Sequence, residues 1–514
     1  MVDGDRAKRW RSTILGDVKM SDVVWRSLTS DRWKPVIGML ILLVPILLVM
    51  VQHQAYAANP AQSASESDRQ QTNRGVDQRF LAALRAYKAQ QYAAAQNQLE
   101  PLVQKNPGSF EVNELLGLVY AAQGERPKAN RFLAKAVRLH PNLTEARTAL
   151  ATNLLALHRL DEAETQFKKV VELTPHGYDS NHNLGEFYIQ TGKIASAIPF
   201  LERAQEADPS AYNNGYDLAL ALEQTGKLDE ARQQLQHLIS LHDSAELHNL
   251  LGETEEKSQN YLSSAGQYEQ AAHMDPTEPN ILNWGAELLL HQTFAPAIEV
   301  FKAGTQRFPE SAQLLNGLGI AFYGAGQTDD AVRAFLRASD LTPSDPLPLV
   351  FLGKACDGAS PPLAGQVRSR LENFLSRDAQ SAELNYYLAT CLGRTNQAES
   401  NAGSEAKIES LLKRAVTLDP NYADAFFQLG VLYADERKYP EAIEQYEQAL
   451  KINPNAVNTH YRLGQALARH GDQTRAQEEF AVFERLRQSE SEATNKEQNQ
   501  IQQFVYKMRK SDTN

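Results

Sequence analysis

Small and large apolar positions recur along this chain with a period of about 34 residues. Prolines mark the period at Pro107, Pro141, Pro175 and Pro209, again at Pro276, Pro309 and Pro343, and at Pro420 and Pro454. With each proline set as position 32 of a unit, position 8 is Gly117, Gly185, Gly252, Gly285, Gly319, Gly353, Gly430 and Gly464. Elsewhere position 8 is alanine, as in Ala83, Ala151, Ala219 and Ala389. Position 20 is alanine in Ala129, Ala163, Ala197, Ala231, Ala297, Ala331, Ala442 and Ala476, and position 24 is large in Phe167, Phe301, Phe335, Tyr446 and Phe480. Small residues at 8 and 20 let two antiparallel helices approach closely, with the large residue at 24 filling the groove beside them. Proline at 32 cannot continue a helix and ends the second one. Pairs such as Gly192-Lys193, Gly226-Lys227 and Gly326-Gln327 turn the chain between the two helices.

Two units show the pattern most fully: Leu184-Gly185 with Tyr188, Ala197, Leu201, Ala204 and Pro209, and Leu429-Gly430 with Tyr433, Ala442, Tyr446, Ala449 and Pro454. The pattern resembles the tetratricopeptide repeat family. Twelve units start at 76, 110, 144, 178, 212, 245, 278, 312, 346, 382, 423 and 457 and cover about 76–490. The resemblance implies an all-α fold: a solenoid of antiparallel helix pairs wound as a right-handed superhelix, first helices lining a concave groove. A chain of 514 residues would otherwise suggest about three globular domains; a repeat array stacks neighbour on neighbour instead. The ninth unit departs from the pattern, with Ser360-Pro361-Pro362 breaking its helix–helix turn. The tenth carries an insertion of about seven residues within Thr395–Lys407, a candidate functional loop.

The ends differ from the array. Residues 1–34 form a basic segment with eight Lys or Arg against five Asp. Within 35–57 lies an apolar block, Val36 to Val51, followed by Ala55-Tyr56-Ala57. This reads either as a secretory signal cut after Ala57 or as a retained membrane anchor, and translation could start at Met1 or Met20. Both readings keep the basic flank in the cytoplasm and export the rest, placing the protein in a cell envelope or outside the cell; a bacterial origin fits. Residues 58–75 read as a polar linker, and 491–514 as a polar tail in which Ile501, Phe504, Val505 and Met508 form a short amphipathic helix.

Net charge is −11, which argues against nucleic acid as a partner. Phosphate-loop, zinc-protease, nucleophile-elbow and dinucleotide signatures are missing, and the repeats occupy most of the chain, so a non-enzyme without cofactors or metal is expected. His237, His242, Asp243, Glu246 and His248 contain zinc-ligand types, but their spacings do not share one helix face; solvated turn residues are expected. Cys356 and Cys391 fall at positions 11 and 10 of adjacent first helices. Helix axes about 8–10 Å apart favour buried thiols over a disulfide.

In the family, positions 2, 5, 9, 12 and 13 face the groove. They hold the aromatic residues Phe80, Tyr87, Tyr216, Tyr323, Tyr386, Phe427 and Tyr461, a central acidic set of Asp179, Glu186, Glu223, Glu246 and Glu256, and a few bases including Arg394. Acids at position 2 also favour the helix dipole. The candidate partner-binding residues are therefore Tyr87, Asp179, Glu186, Tyr216, Glu223, Glu256, Tyr323, Tyr386, Arg394, Phe427 and Tyr461. The Lys, Asn and Arg set by which some members grip a C-terminal carboxylate is not reproduced. The expected function is an exported or membrane-tethered adaptor that binds other proteins or peptides in its groove. The alternative is a structural scaffold of an envelope secretion or polysaccharide-export assembly.

Overall fold

The structure, a computed structural model, describes residues 78–395 and 402–488. These hold 24 α-helices and one short 3-10 turn, arranged as twelve antiparallel pairs, with no strand among the described residues. The N-terminal apolar block and the amphipathic stretch after 490 lie outside them. Among the described residues no helix is long and apolar enough to cross a membrane.

Two compact units divide the chain, one ending at Thr254 and the other starting at Glu255. In the first, pairs such as Phe110–Ala122 with Arg126–Leu139, and Tyr178–Gln190 with Ile194–Ala207, follow one another, each helix packing on the next. The second continues with pairs such as Ala312–Gly324 with Thr328–Leu341 and Ala423–Asp435 with Tyr439–Ile452.

The helices of a pair meet at positions 8 and 24. A Cβ built on Gly185 would lie 2.5 Å from Leu201 Cδ2, and on Gly430 2.5 Å from Tyr446 Cε1. On Gly285 and Gly319 the corresponding atoms are ring carbons of Phe301 and Phe335, both at 2.4 Å. Glycine therefore lets each large residue seat its side chain directly on the facing backbone. Tyr446, Phe301 and Phe335 are fully buried there, as are Ala129, Ala163, Ala197, Ala231, Ala331 and Ala442 at position 20.

Position 15 carries the turn. Gly124, Gly192, Gly226, Gly326 and Gly471 there have φ between 74° and 105°. Gln90, His158, Gln259, Gln292 and Arg437 occupy the same position in other pairs and adopt the same left-handed backbone, with φ of 55–62°. The turn geometry is thus fixed by the packing of the pair, and five of the ten units that show it hold a non-glycine residue there.

Successive pairs are tied by polar side chains early in the first helix. Asn181 Nδ2 donates to Pro175 O at 2.8 Å, Asn113 Nδ2 to Pro107 O at 3.1 Å, and Asn385 Nδ2 to Ala379 O at 3.2 Å. Arg147 Nε reaches Pro141 O at 2.6 Å, and His460 Nε2 lies 2.9 Å from Pro454 O. Each bond satisfies a carbonyl in the loop that ends the preceding pair. Tyrosines at position 11 make a second tie: the hydroxyls of Tyr120, Tyr188 and Tyr433 donate to Glu100, Glu164 and Glu409 of the preceding second helix. Glu164 also meets Lys168 and Lys193, and these hydrogen bonds hold its carboxyl down at about 2.

The ninth and tenth pairs depart from the others, though not by broken helices. Leu347–Ala355 is short and runs into the 3-10 turn Cys356–Gly358. Pro361 and Pro362 then open the helix Pro361–Leu375, where their fixed φ suits the first turn. The regular turn is broken at this point, as expected, and the two prolines start the second helix directly after it. The insertion in the tenth pair is partly helical: Ala402–Leu418 has 17 residues against the usual 14 of a second helix. Lys407, expected in a loop, sits on that helix and pairs with Glu372 at 2.7 Å.

These contacts make two opposed substitutions informative. Gly319→Ala forces a methyl into the Phe335 ring, which is itself stacked on Phe351 with centroids 5.1 Å apart. Its cost is about 1–3 kcal/mol. Arg437→Gly relieves a left-handed backbone and stabilises by about 1 kcal/mol. Urea unfolding followed by circular dichroism should lower the midpoint for the first and raise it for the second.

Candidate partner-binding face

The first helices present their own faces, and those of the fourth to sixth pairs carry stacked rings joined by hydrogen bonds. Tyr178 stacks on His182, with centroids 5.3 Å apart and planes 12° apart. One repeat later Tyr212 stacks on Tyr216 at 6.3 Å and 19°. His182 Nδ1 lies 3.2 Å from Asn214 Oδ1, and the Tyr212 hydroxyl donates to Glu246 Oε2 at 2.9 Å, so neighbouring first helices are joined along this face. Asn214 is fixed from behind, donating to Leu201 O and Gln205 Oε1.

Carboxylates lie among these rings. Asp217 is half-buried and accepts no hydrogen bond among the described residues; burial raises its carboxyl to about 6, with His182 opposing the rise and Glu186 adding to it. The Tyr178 hydroxyl is pushed up to about 12, first by burial and then by Asp208, Asp179, Asp217 and Glu186. Burial also raises Tyr216, helped by Glu246, Asp217 and Glu253. In the second pair Glu114 is held at about 7 by burial and by Glu145 and Glu111. Unlike Tyr188 and Tyr433, the hydroxyls of Tyr178, Tyr216 and Tyr323 make no hydrogen bond among the described residues.

The second unit carries a different cluster. Tyr386 sits 5.2 Å from Tyr387 and 5.0 Å from Tyr422 between ring centroids. Tyr387 packs on Gly353, one residue before Lys354. Burial lowers Lys354 to about 8 although Glu383 and Asp424 oppose the shift, and burial raises Glu383 against the pull of Lys354. Desolvation therefore outweighs the attraction between these opposite charges.

The sequence candidates fall into three environments. Asp179 is exposed, while Glu186, Tyr216, Glu256, Tyr323, Tyr386 and Phe427 are half-buried. Glu186 accepts from Gln190 at 3.0 Å, and Phe427 packs on Tyr446. Tyr461 is 40% exposed beside Phe480 and Phe483. Tyr87 and Glu223 are instead buried, at 8% and 3% exposure, because position 12 turns toward the packed side of its helix in those pairs. Arg394 lies in the helix Ala382–Thr395, its side chain outside the described part. Tyr178, His182, Tyr212, Asp217 and Glu253 were missed. Four of them occupy positions 1, 5 and 6, and the alternation of Tyr178 with Tyr212 at position 1 was the available signal. Glu253 stands at position 9 and was overlooked.

The histidine-rich stretch is divided among other partners: His248 Nε2 lies 2.8 Å from Asp243 Oδ1, Glu246 bonds Tyr212, and the His242 ring meets the Tyr212 ring edge-on. Cys356 and Cys391 form a disulfide, with Cα atoms 5.8 Å apart and both side chains buried. The expectation of free thiols fails because axis separation is the wrong measure. A Cα stands about 2.3 Å off its axis, so facing residues come well inside the axial distance.

Family models described as tetratricopeptide repeat match residues 80–146, 148–212 and 283–346, 188–253, and 411–444, and one described as TPR repeat matches 433–471. The chain belongs to the tetratricopeptide repeat family. The match to 283–346 ends where the irregular ninth repeat begins. Two curated relatives are similar over part of their length. A tetratricopeptide repeat and J domain-containing co-chaperone of Cryptococcus neoformans var. grubii is 32% identical over 91 residues, 18% of this chain and 17% of that protein. The CTR9 homolog of Arabidopsis thaliana is 24% identical over 272 residues, 44% of this chain. The chain thus spans 17% and 24% of the lengths of these relatives. The crystal structure of YrrB, described as a TPR protein with an unusual peptide-binding site, has a TM-score of 0.32 at 19% identity, covering 35% of this chain and 92% of that one.

Two outcomes follow for these repeats. Peptide mapping without reductant should recover Cys356 and Cys391 in one linked fragment. Removing the bridge by Cys356→Ala with Cys391→Ala, a closed loop of 35 residues, costs up to about 4 kcal/mol in the chain-entropy picture. Glu114 acts in the opposite sense to Glu164. Its folded-state value is raised to about 7, so the folded chain holds the extra proton and stability falls as pH rises from about 4.5 to 7. Glu114→Gln should remove a share of that fall on the order of 2 kcal/mol, read from urea midpoints at pH 5 and pH 8.

Proposed function

We propose that this tetratricopeptide repeat protein is a non-catalytic adaptor that binds segments of other proteins along its first-helix face. The observation that carries the reading is the contrast among its tyrosines. Those at position 11 are consumed in ties to neighbouring helices, whereas Tyr178, Tyr216 and Tyr323 keep their hydroxyls unengaged and their rings half-buried. Tyrosines of this kind offer large contact area at low entropic cost. The co-chaperone likeness over 91 residues is in keeping with protein-binding work.

The adaptor acts outside the cytoplasm, as an exported or membrane-tethered chain. The apolar block Val36 to Val51 with its following Ala55-Tyr56-Ala57 supports that placement. So does the Cys356–Cys391 bridge, since disulfides persist in oxidising compartments.

The test is site-specific photo-cross-linking in the native cells. A photoreactive residue replaces Tyr216 or Tyr323 on first helices, or exposed Glu202 or Glu299 on second helices. One recurring protein linked from Tyr216 or Tyr323, and absent from Glu202 and Glu299, is the expected result. Links from Glu202 and Glu299 alone would replace the adaptor by a scaffold that meets partners on its second-helix surface.

A further inference from the structure

The first-helix face of the fourth to sixth pairs combines two features that differ in what they recognise. Stacked rings, Tyr178 on His182 and Tyr212 on Tyr216, give flat apolar surface with electron-rich faces. Asp217 stands among them, and the groups acting on it are Glu186 and His182; Tyr216 lies in the field of Glu246, Asp217 and Glu253. Asp217 is half-buried and has no hydrogen-bond donor among the described residues. A partly desolvated carboxylate in a field of like charge is stabilised by an external cation more than an exposed one is. The surrounding ties, Asn214 to Leu201 and Gln205 and Tyr212 to Glu246, hold the rings in place before anything binds.

We infer that this face, from Tyr178 to Glu253, takes a polypeptide segment carrying arginine or lysine, the cationic head seated at Asp217 and Glu186 and its stem lying on the rings of Tyr178 and Tyr216. The inference rests on the adaptor reading and names the partner's chemistry. Charge complementarity selects the occupant: an acidic segment would meet Asp179, Glu186, Asp217, Glu246 and Glu253 with no Lys or Arg among the groups acting on Asp217. The stacked rings select a stem-bearing cation over a bare ion, and long side chains lay their methylenes on apolar surface while the head stays polar.

The test uses the full chain and a fluorescent nine-residue peptide alternating arginine and glycine. Fluorescence anisotropy at low salt should show saturable binding that weakens as salt is raised. Asp217→Asn combined with Glu186→Gln should weaken it tenfold or more, while Glu299→Gln, an exposed acid on a second helix, leaves it unchanged. Circular dichroism confirms that the variants fold, and Tyr216→Leu provides a second variant that keeps every charge and should also weaken binding. Equal losses in Glu299→Gln, no effect of the Asp217 and Glu186 pair, or tighter binding of the glutamate counterpart would overturn the inference. Spermidine displacing the peptide with the same Asp217 dependence at equal concentration would also overturn it, in favour of a small cation. Cross-links from Tyr216 to a partner segment lacking arginine and lysine would overturn it while leaving the adaptor reading intact; absence of any cross-link from first helices would remove the adaptor reading itself.

Discussion

The helix pairs of this chain depend on a small residue at position 8 of each repeat, glycine in eight units and alanine in four. A methyl on Gly117, Gly185, Gly285, Gly319, Gly430 or Gly464 would stand 2.4–2.7 Å from the side chain at position 24, inside any tolerable contact. Its absence lets a leucine, phenylalanine or tyrosine lie against the facing helix backbone, and that single contact fixes the separation of the two helices. Ala at position 20 completes the approach from the other helix. Once the separation is fixed, the turn between the helices has one workable geometry, and position 15 adopts the left-handed backbone even where it is Gln, His or Arg. Packing thus overrides a local preference of about 1–2 kcal/mol per residue.

Repetition is a second constraint layered on the first. Each pair leaves apolar surface that only the next pair covers, so the array needs ties that set how one pair follows another. Asn113, Asn181, Asn385, Arg147 and His460 supply them by occupying a loop carbonyl of the preceding pair. Tyr120, Tyr188 and Tyr433 supply a second set through glutamates of the preceding second helix. The same residue type then has two fates. A tyrosine at position 11 is structural cement, whereas Tyr178, Tyr216 and Tyr323, at positions 1, 5 and 12 of their first helices, make no hydroxyl hydrogen bond among the described residues, and Tyr212 at position 1 meets Glu246 of the next repeat.

Pairs nine and ten show where the repeat gives way. A first helix of nine residues ends in a 3-10 turn, the second helix of the next pair gains three residues, and a disulfide joins Cys356 of that turn to Cys391 on the first helix of the tenth pair. The bridge restores by covalent means a link between neighbours whose regular turn geometry has been lost. Nearby, Lys354 loses more from burial than it gains from Glu383 and Asp424, so the surroundings of the aromatic cluster around Tyr386 and Tyr422 are partly dehydrated.

The sequence alone determined the all-α class, the pairing of helices, the count of twelve units and the contact between positions 8 and 24. Those are periodic properties, and a period survives in one dimension. It also named Asp179, Glu186 and Tyr216 on the first helices of the fourth and fifth pairs, because the positions facing one side of a helix are set by its pitch, but not Tyr178, His182, Tyr212, Asp217 or Glu253 beside them. What it misjudged depends on distances across helices. Tyr87 and Glu223 share a nominal lining position with Tyr323 yet are buried, since their exposure depends on what the adjacent helix places over them. Asp217 and His182 came together only through the stacking of separate repeats, and Cys356 met Cys391 because facing Cα atoms stand closer than their helix axes. Burial and through-space approach are sums over neighbours distant in sequence, so only the tertiary structure decides them.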